Sequence, residues 1–377
     1  MAQYFGARDE KNVHETVHTS ILLGIVGGFI LIVAGMVFAK PMLEWMDTPE
    51  DVLSHAVLYM RIYFIGMPAM LVYNFGAAIL RAIGDTRRPL YYLLSAGVIN
   101  VILNLFFVIV LDMGVAGVAT ATVISQVVSA ILIVRCLMHS DGIYRLDLHA
   151  LKIHKTKMVH IAKIGLPAGV QGAVFSLSNV LIQSSVNSFG SIAMAGNTAA
   201  GNIEGFVYTS MNAVYQTALS FTSQNVGGRR QDRIPKIVFQ CLAIVTVVGA
   251  VLGNLAYQCG PFLLNIYSSD PEVIQYGMSR MQIICQWYFL CGIMDVAVGI
   301  LRGMGYSVMP MLVSLAGACG LRVLWIFTVF VWKHSLFVLY LSYPITWTIT
   351  LAVHFICFFV IWKRKKGAWA MVKVTEK

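Results

Sequence analysis

The chain has 377 residues, 58% of them hydrophobic and 12% charged, with a formal net charge of +10. A soluble domain averages about 25% charged residues, which excludes an ordinary globular protein. Apolar runs of about 20 residues recur along the whole length and predict a polytopic, all-α integral membrane protein, whereas a β-barrel would show alternating segments of about ten residues.

Taken in order, the runs predict ten spans near 18–38, 55–79, 90–111, 115–138, 163–188, 198–222, 236–258, 276–301, 308–332 and 336–362. They group into an N-terminal lobe of about four spans (1–138), a basic, partly amphipathic linker (139–162) expected along the membrane surface, a six-span lobe (163–362) and a basic tail (363–377). The opening stretch MAQYFGARDE has neither the basic nor the apolar region of a secretory leader, so none is expected. The seven cysteines fall singly in apolar segments with no CxxC spacing, as small core residues do.

Loop charge sets the orientation. The segments 1–17, 80–89, 135–163 and 224–236, Arg302 with its loop, and the end after Ile361 hold 22 of the 27 Lys and Arg. The opposite loops carry Glu44, Asp47, Glu50, Asp51, Asp112, Asp270 and Glu272. The positive-inside rule then puts both termini in the cytoplasm. Arg61 and Arg280, near the other ends of their spans, read as interface anchors. The runs Arg229-Arg230 and Lys363 to Lys366 read as topology signals and lipid contacts, not as nucleic-acid sites.

One stretch recurs. LRAIGDTRRPL, starting at Leu80, returns 221 positions later as LRGMGYSVMPM, with Leu80, Arg81, Gly84 and Pro89 falling on Leu301, Arg302, Gly305 and Pro310. Gln3, Gly6 and Arg8 fall on Gln224, Gly227 and Arg229 at the same offset. Six spans separate the two loops, an even number, so the repeats are parallel, a known transporter plan. The second half has two spans ahead of Gln224 and the first half has none ahead of Gln3. The expectation is two parallel six-helix repeats, the first lacking two helices.

Charged groups inside the bilayer cost about 2.5–3.5 kcal/mol each on insertion scales and usually face a cavity or a partner. The clear cases are Glu204, Asp295 and Arg322, with His354 less costly. Glu204 lines up on a helix with Tyr208, Met211, Asn212 and Tyr215. Asp295 shares a face with Tyr288, and Asn179, Gln183 and Asn187 recur at i+4 on a neighbouring span. Burial raises a carboxylate's pKa, and a second carboxylate raises one of a pair further. Glu204 and Asp295 could therefore exchange protons, or bind Na⁺, against a cationic substrate in a cleft lined by Asn179, Gln183, Tyr208, Asn212, Tyr215 and Tyr288. Trp287, Tyr288 and Phe289 are candidates for stacking on an aromatic cation. Arg322 reads as satisfying an acid or carbonyl groups, and His354 as a core histidine.

The order of AQYFGARDEKNV, LRAIGDTRRPL, GVAGVATATVISQ, KIGLPAGVQ and TSQNVGGRRQDRI resembles the multidrug and toxic compound extrusion (MATE) transporters over essentially the whole chain. The resemblance implies twelve helices in two lobes opening alternately to either side, of which this chain supplies helices three to twelve. It also implies acids at Glu204 and Asp295 similar to those of the sodium-coupled bacterial branch.

The leading expectation is a secondary antiporter in a bacterial plasma membrane, exporting organic cations or amphipathic drugs against Na⁺ or H⁺. No cofactor and no obligate protein partner are expected, and the lipid bilayer is its surroundings. A flippase for a lipid-linked sugar is the alternative. It would favour a cationic cleft, whereas the intramembrane acids here outnumber the well-centred bases. A truncated, non-transporting fragment is a third possibility. A membrane enzyme should show a paired His/Asp motif or a loop cluster, and neither is evident.

Overall fold

The computed structural model describes residues 1–45 and 49–375, with side chains through Arg364. Asp47, assigned above to an acidic loop, lies outside the described residues, as do the side chains of Lys365 and Lys366. The principal helices are α1 (Ala2–Gly6), α2 (Glu10–Trp45), α3 (Glu50–Ile65), α4 (Met67–Ala82), α5 (Arg87–Leu105), α6 (Gly114–Met138), α7 (Lys155–Asn187), α8 (Ser191–Gly227), α9 (Ile234–Gln258), α10 (Gly260–Asn265), α11 (Pro271–Gly303), α12 (Val308–Ser314), α13 (Leu321–Trp325) and α14 (Leu336–Thr375).

Among the described residues, eight helices are long and apolar enough to cross a bilayer, or nine where the α3–α4 pair, bent by 47° at Gly66, counts as one span. Pro68 has no N–H to continue the helical ladder, which accounts for that bend. The 37 residues of α8 rise about 55 Å, ample for a hydrocarbon core of about 30 Å. Its Asn, Ser, Thr and Glu204 content lowers its hydropathy, and counted with the others it brings the described spans to roughly the ten expected. Phe29, Ile30, Val33, Val98, Phe239 and Phe327 stand exposed, as side chains facing lipid do.

The chain divides into two compact units, Met1–Ala162 and Lys163–Lys377. The repeat read from sequence is written into the backbone of both. Gly84 and Gly305 take φ of +97° and +95°. Gly84 N–H donates to the Arg81 carbonyl at 3.0 Å and Asp85 N–H to that of Leu80 at 3.0 Å. Gly305 and Tyr306 repeat this on Arg302 and Leu301 at 2.9 and 3.0 Å. Both are Schellman caps, which need a left-handed residue that glycine adopts without strain. The second pair matches as closely: Arg8 and Arg229 both sit at φ +55°, and Asp9 and Arg230 donate back to Tyr4 and Asn225 at 3.0 and 2.8 Å.

The expected linker resolves into two parts. Residues from Lys155 onward already belong to α7, while 139–154 fold onto the first unit. Leu146 buries its side chain there. Asp147 caps a short 3-10 turn, accepting from His149 N–H at 2.9 Å, and that bond holds its carboxyl below the usual pKa. His18 is fully buried beneath it. Its Nε2 accepts from Asp147 N–H at 3.0 Å, so Nδ1 must carry the proton it donates to the His14 carbonyl at 2.8 Å. Thr19 Oγ1 bonds both the Lys152 carbonyl and His154 N–H. His18→Leu is expected to orphan the Asp147 amide at a cost of roughly 1–3 kcal/mol. Trypsin should then cut at Arg145 and Lys152 several-fold faster, as limited proteolysis followed by mass spectrometry would read.

In the second unit α11 is the central pillar, contacting α8, α9 and α14. It approaches α8 closely where each helix carries a glycine. A Cβ on Gly196 would stand 2.5 Å from the Val273 carbonyl oxygen and 2.9 Å from the Gly277 nitrogen. Small residues that let backbones meet are the usual means of helix association in lipid. Farther along the same pair, Gly303 meets Thr222. Cys241, Cys285, Cys291 and Cys319 are buried free thiols.

Candidate functional site

The close seam between α8 and α11 brings their polar residues into a ladder within the second unit. Glu204, buried on α8, accepts two bonds from one guanidinium: Arg280 Nε at 2.9 Å and Nη2 at 2.7 Å. Arg280 Nη1 donates to Asn197 Oδ1 at 2.7 Å, and the Tyr340 hydroxyl donates to the same oxygen at 3.2 Å. Asn197 Nδ2 then donates to Gln183 Oε1 at 2.7 Å, and Gln183 Nε2 to Asn187 Oδ1 at 3.0 Å. The planar fork matches the carboxylate as a bidentate pair, a geometry that compensates burial of both charges.

This corrects the assignment of Arg280 as an interface anchor. The helix opens at Pro271, five residues before the expected span, so Arg280 sits more than two turns inside it and is buried against α8.

Two cavities share one wall. A cavity of about 370 Å³ is lined by Glu204, Arg280, Asn179, Gln183 and Asn197 among others. A second, of about 390 Å³, is lined by Asp295, Arg302, Arg322, Gln171 and Phe175. Asn179, Tyr208, Tyr288, Tyr343 and Trp347 line both. Tyr288 stacks on Trp347 with ring centroids 5.6 Å apart, and Tyr343 meets Trp347 edge-on at 5.6 Å. Either volume lies within the range of small-molecule sites.

Of the residues expected to line the cleft, Asn179, Gln183, Tyr208 and Tyr288 do so. Asn212 and Tyr215 are not among the lining residues. Asn212 lies against the Tyr208 hydroxyl, and the Tyr215 hydroxyl accepts from Arg302 Nη1 at 2.8 Å. Trp287 points outward, so of the three consecutive aromatics only Tyr288 lines the cavities. His354 is fully buried with Nε2 3.2 Å from Ser314 Oγ, while its Nδ1 has no partner among the described residues.

The two acids are not equivalent. Both oxygens of Glu204 are taken by Arg280. Asp295, partly buried, makes no ion pair among the described residues. Tyr208 and Arg302 line the same cavity beside it, and the Arg302 charge acts on it through space. Arg322 is buried with its guanidinium 4.1 Å over the Tyr343 ring and Nη2 3.3 Å from Thr346 Oγ1, with no acid partner among the described residues.

The count of acids against bases changes accordingly. Three guanidinium groups, Arg280, Arg302 and Arg322, line the two cavities beside two carboxylates. The expected excess of acids over well-centred bases took Arg280 and Arg302 as end-of-span residues, and both line these cavities. The pair Tyr343 and Trp347 was also missed, although their i, i+4 spacing on the last span carried the signal.

A protein-family model described as MatE matches residues 1–106 and 167–328. The chain is 27% identical over 380 residues to a probable multidrug resistance protein, YoeA, of Bacillus subtilis, covering 97% of this chain and 81% of that one. It is 23% identical over 286 residues to an FAD transporter of Shewanella oneidensis, covering 73% and 62%. Among solved structures, the outward-facing conformation of a multidrug resistance MATE family transporter aligns with a TM-score of 0.88 at 18% identity, covering 98% of this chain and 82% of that one. A transporter from Pyrococcus furiosus aligns with a TM-score of 0.89 at 18% identity, covering 98% and 82%.

Proposed function

The chain belongs to the multidrug and toxic compound extrusion family, and on that premise we propose that it is a cation-coupled antiporter in which Asp295 is the exchange site. Family membership makes it an integral membrane transporter of small molecules rather than an enzyme, and its multidrug relatives support drug efflux. The finer reading rests on one observation: Asp295 is the cavity carboxylate without a guanidinium partner, whereas both oxygens of Glu204 are occupied. A carboxylate open to a cavity can take up H⁺ or Na⁺ in turn with a cationic group of the substrate. Mutual exclusion of this kind is what antiport needs, since a bound ion shifts an equilibrium only through differential affinity. Glu204 becomes a structural acid that fixes Arg280, Asn197 and Gln183 around the shared wall. By loop charge, the Gly84 and Gly305 loops and both termini face the cytoplasm of a bacterial plasma membrane, and substrate is released on the other side by alternating access.

The test is reconstitution of the full chain into vesicles containing a fluorescent organic cation, with an imposed Na⁺ or pH gradient. Dye moving against its own gradient only while one of the two ion gradients is present is the expected result, and that gradient names the ion. Dye flux indifferent to both gradients counts against antiport.

A further inference from the structure

The two repeats share a backbone at the turn that leads into α2 and α9, and they differ in its charge. Packing fixes the register as the caps do. A Cβ on Gly28 would run into Pro68, and one on Gly249 into Phe289, both partners 221 positions on. Val13 and Ile234, at the same offset, are both fully buried. Arg8, Asp9, Glu10, Lys11 and Glu15 leave residues 8–15 with a net charge of −1, whereas Arg229, Arg230, Asp232, Arg233 and Lys236 give 229–236 a net charge of +3. Within these stretches Asn12 and Glu15 fall on Arg233 and Lys236.

In the first unit the chain itself supplies what this turn takes. Lys157 is buried with its ammonium on Asn12 Oδ1, 3.7 Å from Glu15 Oε2 and 4.3 Å over the Tyr4 ring. In the second unit both of those acceptors are replaced by cations. Arg233 and Lys236 stand exposed and make no ion pair among the described residues, since Asp232 lies 3.5 Å from Arg230 instead. A turn that takes a cation in one repeat is thus charged to take an anion in the other. The chain's own basic end, from Lys363 to Lys366, carries the wrong sign to supply it. The neighbouring surface narrows the choice further. On the face of α9 that Lys236 heads, Phe239 at i+3 and Val247 at i+11 are 73% and 61% exposed, a stripe suited to hydrocarbon. Positive charge at the helix end with apolar surface running from it describes a phospholipid: an anionic headgroup above and an acyl chain beneath.

We propose that the turn between α8 and α9 is a docking surface for an anionic phospholipid, whose phosphate sits at Arg233 and Lys236 and whose acyl chain follows Phe239 and Val247. The guanidinium offers a planar fork to the phosphate oxygens and the ammonium a point charge beside it. The lipid does for the second repeat what Lys157 does for the first, with the signs reversed.

A matched pair of lipids tests this. Phosphatidylglycerol and phosphatidylcholine, each with the same fluorescent acyl chain, are bound to the full chain in detergent and read by anisotropy. One Lys or Arg facing an anionic headgroup is worth roughly fivefold in affinity, so two should give the wild type about a thirtyfold preference for phosphatidylglycerol. Arg233→Gln with Lys236→Gln should bring the preference close to parity and leave phosphatidylcholine binding unchanged. Lys363→Gln with Arg364→Gln removes the same charge from the basic end and should leave the preference intact. Equal affinity of the two lipids for the wild type overturns the proposal. So does an equal loss of preference in both double variants, which would mark attraction to net charge rather than a site. Where the Arg233 and Lys236 double variant does not fold, Lys236→Gln alone should lower the preference about fivefold, and an unchanged preference overturns the proposal. Soluble glycerol 3-phosphate should fail to displace the bound lipid at equal concentration, because it lacks the chain that lies along α9. Displacement there would mark a site for free phosphate esters and overturn the lipid assignment.

Discussion

Asp295→Asn is expected to uncouple dye efflux from the ion gradient while leaving the protein folded. Coupling between two ligands that compete for one site is a free energy, and couplings of 1–3 kcal/mol correspond to about 5–150-fold in affinity. Asparagine keeps the volume and the contact with Tyr208 but can neither release a proton nor attract a cation. The gradient-driven component of efflux in reconstituted vesicles should fall by a factor in that range, with downhill exchange of dye retained. Unaltered gradient dependence in this variant would remove Asp295 from the exchange site. Because Asp295 has no ion-pair partner among the described residues, no buried charge is stranded by the change, and the thermal unfolding temperature should stay close to that of the parent.

Arg280→Met is expected to behave in the opposite way, with a large loss of stability. Removing one partner of a buried, bidentate ion pair typically costs about 3–5 kcal/mol, because the remaining charge is left uncompensated. Here the remaining charge is Glu204, and Asn197 loses the donor that fixes it. Glu204→Gln should also destabilise, by stranding Arg280. The double variant Glu204→Leu with Arg280→Met removes both charges and should recover most of the stability of the single variants, as thermal unfolding in detergent would show. Independent, additive losses in the double variant would mean that the two residues do not act as a pair. These experiments divide the acids by role: Asp295 variants should fold and fail to couple, whereas Glu204 variants should fail first in folding.

The backbone landmarks were legible because they are local. A left-handed cap needs glycine two residues beyond the helix and an extra turn of hydrogen bonds, all within six positions, so the return of Gly84 as Gly305 marked the second cap directly. The offset of 221 likewise matched Arg8 to Arg229, although arginine gives no sign of a positive φ by itself. Spans were legible from hydropathy, except at α3–α4, where one run of apolar residues hides a bend at Gly66. Within the site, Glu204 and Asp295 stood out because a carboxylate in an apolar run is rare. Their division of labour was not legible, since it depends on Arg280, 76 residues from Glu204. That arginine meets Glu204 only because Gly196 and the backbone around Gly277 let two helices touch. Sequence periodicity places a residue on a face, and which face opposes it is settled by such tertiary contacts.

The span that carries Arg322 is not a uniform helix. Leu315–Gly320 and Ile326–Phe330 are π-helical turns, one on each side of α13, and Phe106–Val110 forms a similar turn at the end of α5. A π turn holds one more residue than an α turn, so it is in effect a single-residue insertion that the helix absorbs without breaking. Each residue of an α-helix advances the bearing of the next by about 100°. The direction in which the Arg322 guanidinium points is therefore fixed by the number of residues between Val308 and Leu321 as much as by its own side chain. Chain length within that helix is itself a determinant of what the cavity presents, and one residue more or fewer there would swing the arginine off the wall it shares with Asp295.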